Sequence, residues 1–151
     1  MLSDEILKTG MDAAYAEAAA GLAEGGIPIG AVLMRGSEIV GRGRNLRVQR
    51  GSQILHGEMA CFEDAGRRND YGDLVLFTTL SPCMMCSGTI VQFGVGTVVI
   101  ADMQNFGGNE DFLRKHGVEV IVREDPRCVA MMHRFIEEHA DIWNEDISKS
   151  E

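Results

Sequence analysis

His56-Gly57-Glu58 and, further on, Ser81-Pro82-Cys83-Met84-Met85-Cys86 decide how this chain is read, because each half carries chemistry and each half opens a helix. Together they supply one imidazole, two thiols and one carboxylate that is not needed to hold a metal. Nitrogen and sulfur ligands suit zinc, and three of them leave one tetrahedral position open for water or hydroxide. A spare carboxylate beside such a water can serve as its base. The expected set is therefore His56, Cys83 and Cys86 on one Zn2+ per subunit, with Glu58 free beside it. Cys83 and Cys86 stand at i and i+3, so at a helix start their sulfurs share one face. Pro82 suits that start, where exposed N–H groups and the helix dipole favour thiolate.

Working outward, apolar residues recur at Leu7, Met11, Ala14, Tyr15, Ala18 and Leu22, a helical period over 4–24 that stops at Gly25-Gly26. Residues 29–34 read as a buried strand, 35–38 as a turn, and Ile39-Val40-Gly41 as a returning strand, which makes a hairpin. Residues 46–55 have no clear period and read as a loop. Helices are expected over 56–68, 84–93, 110–115 and 126–138, with Pro126 in a first turn. Strands are expected over 74–79, 97–101 and 118–122. Helix, hairpin, then alternating helix and strand predict an α/β fold in three layers, α/β/α, around a central five-stranded mixed sheet.

With 151 residues, 45% of them hydrophobic, the chain is long enough for one domain with a real core, and 1–151 reads as that domain. The net charge of −9 repels a phosphate backbone, so nucleic acid is not an expected partner. Arg42, Arg44, Arg47 and Arg50 form one basic cluster without interleaved aromatics, and it reads as a solvated strand end and loop. No segment reads as a leader or a membrane span, so a cytoplasmic location is expected. There a C-x-x-C pair reads as a metal or redox site rather than a disulfide.

Other readings compete. A redox pair of the thioredoxin kind has small or Trp-Gly-Pro neighbours, and Met84-Met85 is neither. His56 by itself would read as an ordinary packed histidine, and Glu58 by itself as a helix-start carboxylate. A structural zinc, and with it an interaction module, needs a fourth ligand. Cys61, Cys128, His116, His133 and His139 are the candidates. None has a paired metal spacing, and Cys61 reads as core.

His-x-Glu followed by Pro-Cys-x-x-Cys is the known signature of zinc nucleobase deaminases. The metal motifs alone fit tRNA adenosine, guanine and riboflavin-pathway deaminases equally well. The resemblance sharpens over nearly the whole chain. Gly10-Met11-Asp12, Glu24-Gly25-Gly26-Ile27-Pro28-Ile29-Gly30, Gly43-Arg44-Asn45, Leu55-His56-Gly57-Glu58, Thr78-Thr79-Leu80-Ser81-Pro82-Cys83 and Trp143-Asn144-Glu145-Asp146-Ile147 resemble the fungal-type cytosine deaminases of the cytidine deaminase-like superfamily. Gly57, where relatives often have alanine, agrees with that branch. The loop 103–109 keeps an aromatic, Phe106, in less familiar surroundings.

The resemblance implies hydrolysis of a free base, cytosine to uracil and ammonia, in pyrimidine salvage. Isocytosine, guanine and a tRNA adenosine are the alternative substrates. It implies that Asn45 binds the 2-oxo group with the Gly57 N–H, although from the residues alone Asn45 is a turn residue. Asp146 would accept from ring N1–H, and Ser81 and Cys83 would offer backbone groups near the amino end. Phe106 and Trp143, otherwise ordinary core, would pack on the ring, with Ile29 and Leu80 as apolar walls. Residues 139–151 read by composition as a frayed end. The resemblance makes them a C-terminal tail closing the active site. It also implies a homodimer through helices flanking the zinc.

Overall fold

The computed structural model describes residues 2–149; Met1, Ser150 and Glu151, the outermost residues of the expected domain and tail, lie outside the described residues. The N-terminal helix α1 (Asp4–Ala23) starts at Ser3, whose hydroxyl accepts from the Ile6 N–H at 3.2 Å. Its buried stripe is Leu7, Gly10, Met11, Ala14, Ala18 and Gly21. Leu22, expected in that stripe, is exposed, and glycines stand in for bulk where the helix lies closest to the sheet.

Strands β1 (Gly30–Arg35) and β2 (Glu38–Arg44) form the expected hairpin through a turn at Gly36-Ser37, with a register shift between Leu33 and Met34. Next come α2 (Arg47–Arg50), α3 (Gly57–Ala65), a 3-10 turn (Tyr71–Asp73) and β3 (Val75–Thr78). Then α4 (Met84–Phe93) leads to β4 (Thr97–Ile100), α5 (Glu110–Lys115) to β5 (Glu119–Val122), and α6 (Pro126–Glu138) to α7 (Ala140–Asp146). The short α2 lies where only loop was expected, and α7 lies where composition reads a frayed end.

All five strands join one mixed sheet in the order β2-β1-β3-β4-β5. β1 is antiparallel to both β2 and β3, whereas β3, β4 and β5 run parallel. Parallel neighbours require crossovers, and α4 and α5 supply them. Strand side chains alternate between two cores. Ala31, Leu33, Leu76, Val98 and Ile100 meet Cys61, Phe62, Ile90 and Leu113 from α3, α4 and α5. Val32, Met34, Val75, Phe77 and Val99 meet Leu7, Met11 and Ala14 of α1 and Cys128 of α6 on the other face. The three-layer α/β/α arrangement follows from that period of two.

Two glycines let helices press onto the hairpin. A Cβ on Gly30 would lie 2.2 Å from the Ala14 carbonyl oxygen in α1. A Cβ on Gly43 would lie 2.3 Å from the Cys61 nitrogen in α3. Both neighbours are backbone, which cannot rotate aside as a flexible side chain can. This close seating of α3 on β1 and β2 brings its first turn to the carboxyl end of β3. Ligands of α/β sheets commonly bind at such a strand end.

Candidate metal centre and active site

His56 and Cys83 are the N-cap residues of α3 and α4, both in extended backbone conformation. Two helix N-termini therefore converge on one point, and both favour negative charge there. Cys83 Sγ accepts from the Cys86 N–H at 3.5 Å, a thiol in place of the usual capping hydroxyl. His56 Nδ1 lies 3.4 Å from Cys83 Sγ and 3.8 Å from Cys86 Sγ. Zinc–ligand bonds of about 2.0–2.3 Å in a tetrahedron require ligand separations of roughly 3.5–3.8 Å, so the three atoms fit zinc. Among the described residues these three alone form a cluster of His, Cys, Asp or Glu ligands, which leaves the four-ligand structural site without its fourth member. Cys61 is wholly buried, as its expected core place demands.

Glu58 is 3% exposed, in the first turn of α3, and faces the same cavity as His56 and Cys83. Burial pushes its carboxyl up to about 7, and the neighbouring Cys83 sulfur adds to the effect while His56 opposes it. For His56, burial favours the neutral ring. The hydrogen bond to Cys83 and the charges of Asp146 and Glu58 outweigh that and raise it to about 8. Contact with the Cys86 thiol, and then with His56, draws Cys83 down to about 4 against the opposing effect of burial. Cys86 moves well upward because Cys83 sits beside it and it is buried. One thiol of the pair thus ionises readily, and a divalent cation would ionise the other.

The opposite edge of His56 was not legible in sequence. Its Nε2 lies 3.3 Å from Oδ1 of Asp146, the last residue of α7. Arg47 Nη1 reaches the same oxygen at 3.2 Å, and Asn45 Nδ2 donates to it at 3.4 Å. Arg47 also donates through Nη2 to Gln53 Oε1 at 2.8 Å, and its backbone N–H donates to Asn45 Oδ1 at 3.0 Å. Its side chain is only 6% exposed. This corrects the reading of Arg42 to Arg50 as a uniformly solvated cluster. Arg42 and Arg44 do sit at the surface, paired with Glu17 at 3.1 and 3.0 Å, whereas Arg47 is drawn inward by a carboxylate from the other end of the chain.

The cavity has a volume of about 420 Å³. Of the residues expected in the site, Ile29, His56, Glu58, Leu80, Ser81, Cys83, Phe106, Trp143 and Asp146 line it. Asn45 and Gly57 are buried next to it rather than in its wall, and Cys86 lies beneath Cys83. A Cβ on Gly57 would meet the Ile29 carbonyl oxygen at 3.1 Å, so this helix start has little room for a side chain. Phe106 and Trp143 meet edge to face with ring centroids 6.1 Å apart. Asp102 shapes the Phe106 loop by accepting from the Gln104 and Asn105 N–H groups, and Asn105 Nδ2 ties that loop to the Val129 carbonyl of α6. The Ser81 N–H is committed to the Asp102 carbonyl and its hydroxyl to Glu110, which leaves the Ser81 carbonyl as its remaining polar group. Gln53, Ile54, Met84, Met85, Asn109 and Ile147 also line the cavity. Their sequence carried no signal beyond proximity to a motif.

Residues 4–102 match the sequence profile of the cytidine and deoxycytidylate deaminase zinc-binding region. The chain is 43% identical over 145 residues to a cytosine deaminase of Candida albicans, covering 94% of this chain and 97% of that one. It is 33% identical over 151 aligned positions to a tRNA-specific adenosine deaminase of Bacillus subtilis, covering 91% of each. A guanine deaminase from Nitrosomonas europaea superposes with a TM-score of 0.73 over 89% of this chain and 93% of that one. At 18% identity that likeness concerns the fold alone.

Proposed function

Because the chain belongs to the cytidine and deoxycytidylate deaminase family of zinc-binding enzymes, we propose that it deaminates a free base, converting cytosine and water to uracil and ammonia. The observation that carries the choice of a free base is the position of α7. Its Trp143 and Asp146 stand in the cavity wall, and a tail closed over the base in this way would obstruct a sugar or polynucleotide chain. Oδ1 of Asp146 accepts from Asn45 and Arg47 and lies 3.3 Å from His56 Nε2, and no donor from the described residues reaches Oδ2. That free oxygen suits the ring N1–H, which cytosine has and cytidine lacks. A buried carboxylate left facing an N-glycosidic carbon would lose that hydrogen bond, at a cost of about 1–3 kcal/mol or more.

His56, Cys83 and Cys86 would hold a zinc ion, which would supply a Lewis acid able to lower the pKa of water toward roughly 7. Glu58, buried with a raised carboxyl, takes a proton from the attacking water and gives it to ring N3, next to the C4 that is attacked. After C4 becomes tetrahedral, the same carboxyl takes the proton of the new C4 hydroxyl and passes it to the amine, so that the C4–N bond breaks, ammonia leaves and the C4 carbonyl forms. Ile29, Leu80, Phe106 and Trp143 form the apolar slot for the ring. Asn45 Nδ2 donates one hydrogen to Asp146 and keeps its second for the 2-oxo group.

Residues 1–151 act as one deaminase domain in this reading, with 139–151 as the closing tail, placed in cytoplasmic pyrimidine salvage. A homodimer is part of it too. The exposed Ile54 and Phe93 line an apolar groove with Met59, Phe62 and Tyr71, a face suited to a second copy. Sedimentation at a dimer mass would support this, and a monomer at micromolar concentration would remove it. Ammonia release from cytosine, 5-fluorocytosine, isocytosine, cytidine, guanine and a tRNA anticodon stem-loop tests the substrate. Turnover of cytosine and its 5-fluoro analogue with none of cytidine is expected, and turnover of the stem-loop alone would overturn the free-base reading.

A further inference from the structure

We propose that Arg47 is a positioning residue that holds the tail carboxylate in the orientation needed to recognise the base. Arg47 is absent from the cavity wall, so it acts through Asp146 and not on the substrate. The inference rests on the free-base function proposed above.

Three facts carry it. First, the guanidinium spans two segments. Nη1 reaches Asp146 of α7 at 3.2 Å, while Nη2 reaches Gln53 of the α2–α3 loop at 2.8 Å. Its planar fork can hold both at once, which a lysine cannot. Second, the polar contacts that the described residues make with the Asp146 carboxylate all fall on one oxygen. With His56, Arg47 and Asn45 gathered at Oδ1, Oδ2 is left without a donor from the described residues, on a side chain that lines the cavity. Third, the arrangement is a costly way merely to hold the tail. The side chain is 6% exposed, and its Nε has no hydrogen-bond partner. A buried ion pair gains little over apolar packing of the same volume. The tail already has such packing, with Trp143 and Ile147 against Ile27, Ile29, Leu80 and Phe135. Orientation of Asp146 accounts for a buried cation where packing alone would not need one.

The same placement explains why α2 exists. Its four residues, closed by Gly51 in the left-handed region (φ 59°), turn the chain so that the Arg47 side chain enters the interior while Val48 and Arg50 stay outside. The Asn45 side chain accepts from the Arg47 N–H just ahead of the turn, which joins the two donors to Asp146 into one unit.

The test is steady-state kinetics on the zinc-loaded full chain for wild type, Arg47→Gln, Arg47→Lys, Asp146→Ala and Arg47→Gln/Asp146→Ala. Acrylamide quenching of Trp143, the single tryptophan, reports on the tail. Arg47→Gln is expected to raise KM for cytosine about tenfold or more with a smaller change in kcat, to retain zinc, and to increase quenching. Arg47→Lys keeps the charge, so it is the variant to read where Arg47→Gln does not fold, and its KM should fall between the other two. In the Asp146→Ala background, Arg47→Gln should add no further loss of kcat/KM. Unchanged KM in both single variants, or full additivity with Asp146→Ala, overturns the inference even where quenching changes, because the pair then only anchors the tail. A wild-type protein that turns over no cytosine overturns the functional reading itself, an outcome read before any variant is compared.

Discussion

His56 Nε2 and Asp146 Oδ1 lie 3.3 Å apart, so the first residue before α3 and the last residue of α7 share one polar contact. His56 presents Nδ1 to the two sulfurs and Nε2 to this carboxylate. The negative charge beside Nε2 favours hydrogen on that nitrogen, so that on losing a proton the ring would offer the Nδ1 lone pair to a metal. A tail residue that the resemblance assigns to the substrate thus also supports a metal ligand.

Asp146→Ala should therefore have two effects. Cytosine turnover should fall, and zinc affinity should weaken by about 10–100-fold, the usual consequence of losing a carboxylate behind a ligating histidine. Competition against a chelator of known affinity measures the second. Zinc affinity equal to wild type would mean that the His56–Asp146 contact does not orient the ligand.

Glu58→Gln keeps the shape and removes the proton carrier. Zinc content should be unchanged while kcat falls by at least about 10²–10⁴, the range typical of acid–base catalysis. Metal analysis beside single-turnover ammonia release separates the two. A variant with close to native turnover would take Glu58 out of the mechanism.

Chelation should lower thermal stability as well as activity, because zinc binds only the folded arrangement of the three ligands. At free zinc about 100 times its Kd the bound ion contributes about 2.7 kcal/mol, roughly 5–10 °C in Tm for a chain of this size. A thiol reagent added to the zinc-free protein should react first at Cys83, which is partly exposed and has its thiol drawn down to about 4. Cys61 and Cys128 are buried with raised thiols, to about 12 for Cys128, and should react only on unfolding. Mass spectrometry of the labelled peptides gives the order, and early labelling of Cys61 would contradict it.

Far from the cavity, Arg127 clasps Asp12 of α1 and Asp125 at the start of α6, both at 2.8 Å, while its guanidinium lies over Tyr15. Arg127 holds the Asp125 carboxyl below its ordinary value of 3.8, and Lys8 followed by Arg127 does the same for Asp12. A carboxyl lowered in the folded state stabilises the protein above the unfolded value. That contribution is lost as pH falls through the folded value. Tm should therefore drop on acidification below about pH 4. Asp125→Asn retains a good capping side chain for α6 but removes the charge, so its Tm should depend less steeply on pH in that window. Parallel Tm–pH curves for the two proteins would show that the clasp is not part of the acid response.

Much of this molecule is legible in its sequence. The helical period of α1, the Gly36 turn, Pro126 at the start of α6 and Gly94 at the end of α4 are local signals, and the elements lie within a few residues of their expected limits. Element order then limits the topology, because parallel β3, β4 and β5 need the crossovers that the alternation supplies. What was misread had no local signal. Leu22 fits the α1 period but extends beyond the sheet into solvent, and α2 is too short for periodicity to register.

The sequence by itself pointed to the zinc ligands and the nearby carboxylate, because each half-motif is arranged within a single helix start, and helix starts are local events. Only the tertiary structure decided where Arg47 goes and what Asp146 does. An arginine among other arginines reads as solvated, and it is buried only if a carboxylate arrives to meet it. Here that carboxylate comes from the far end of the chain, carried on α7. Burial of a charge is a property of the pair, and the pair exists only once the chain has folded.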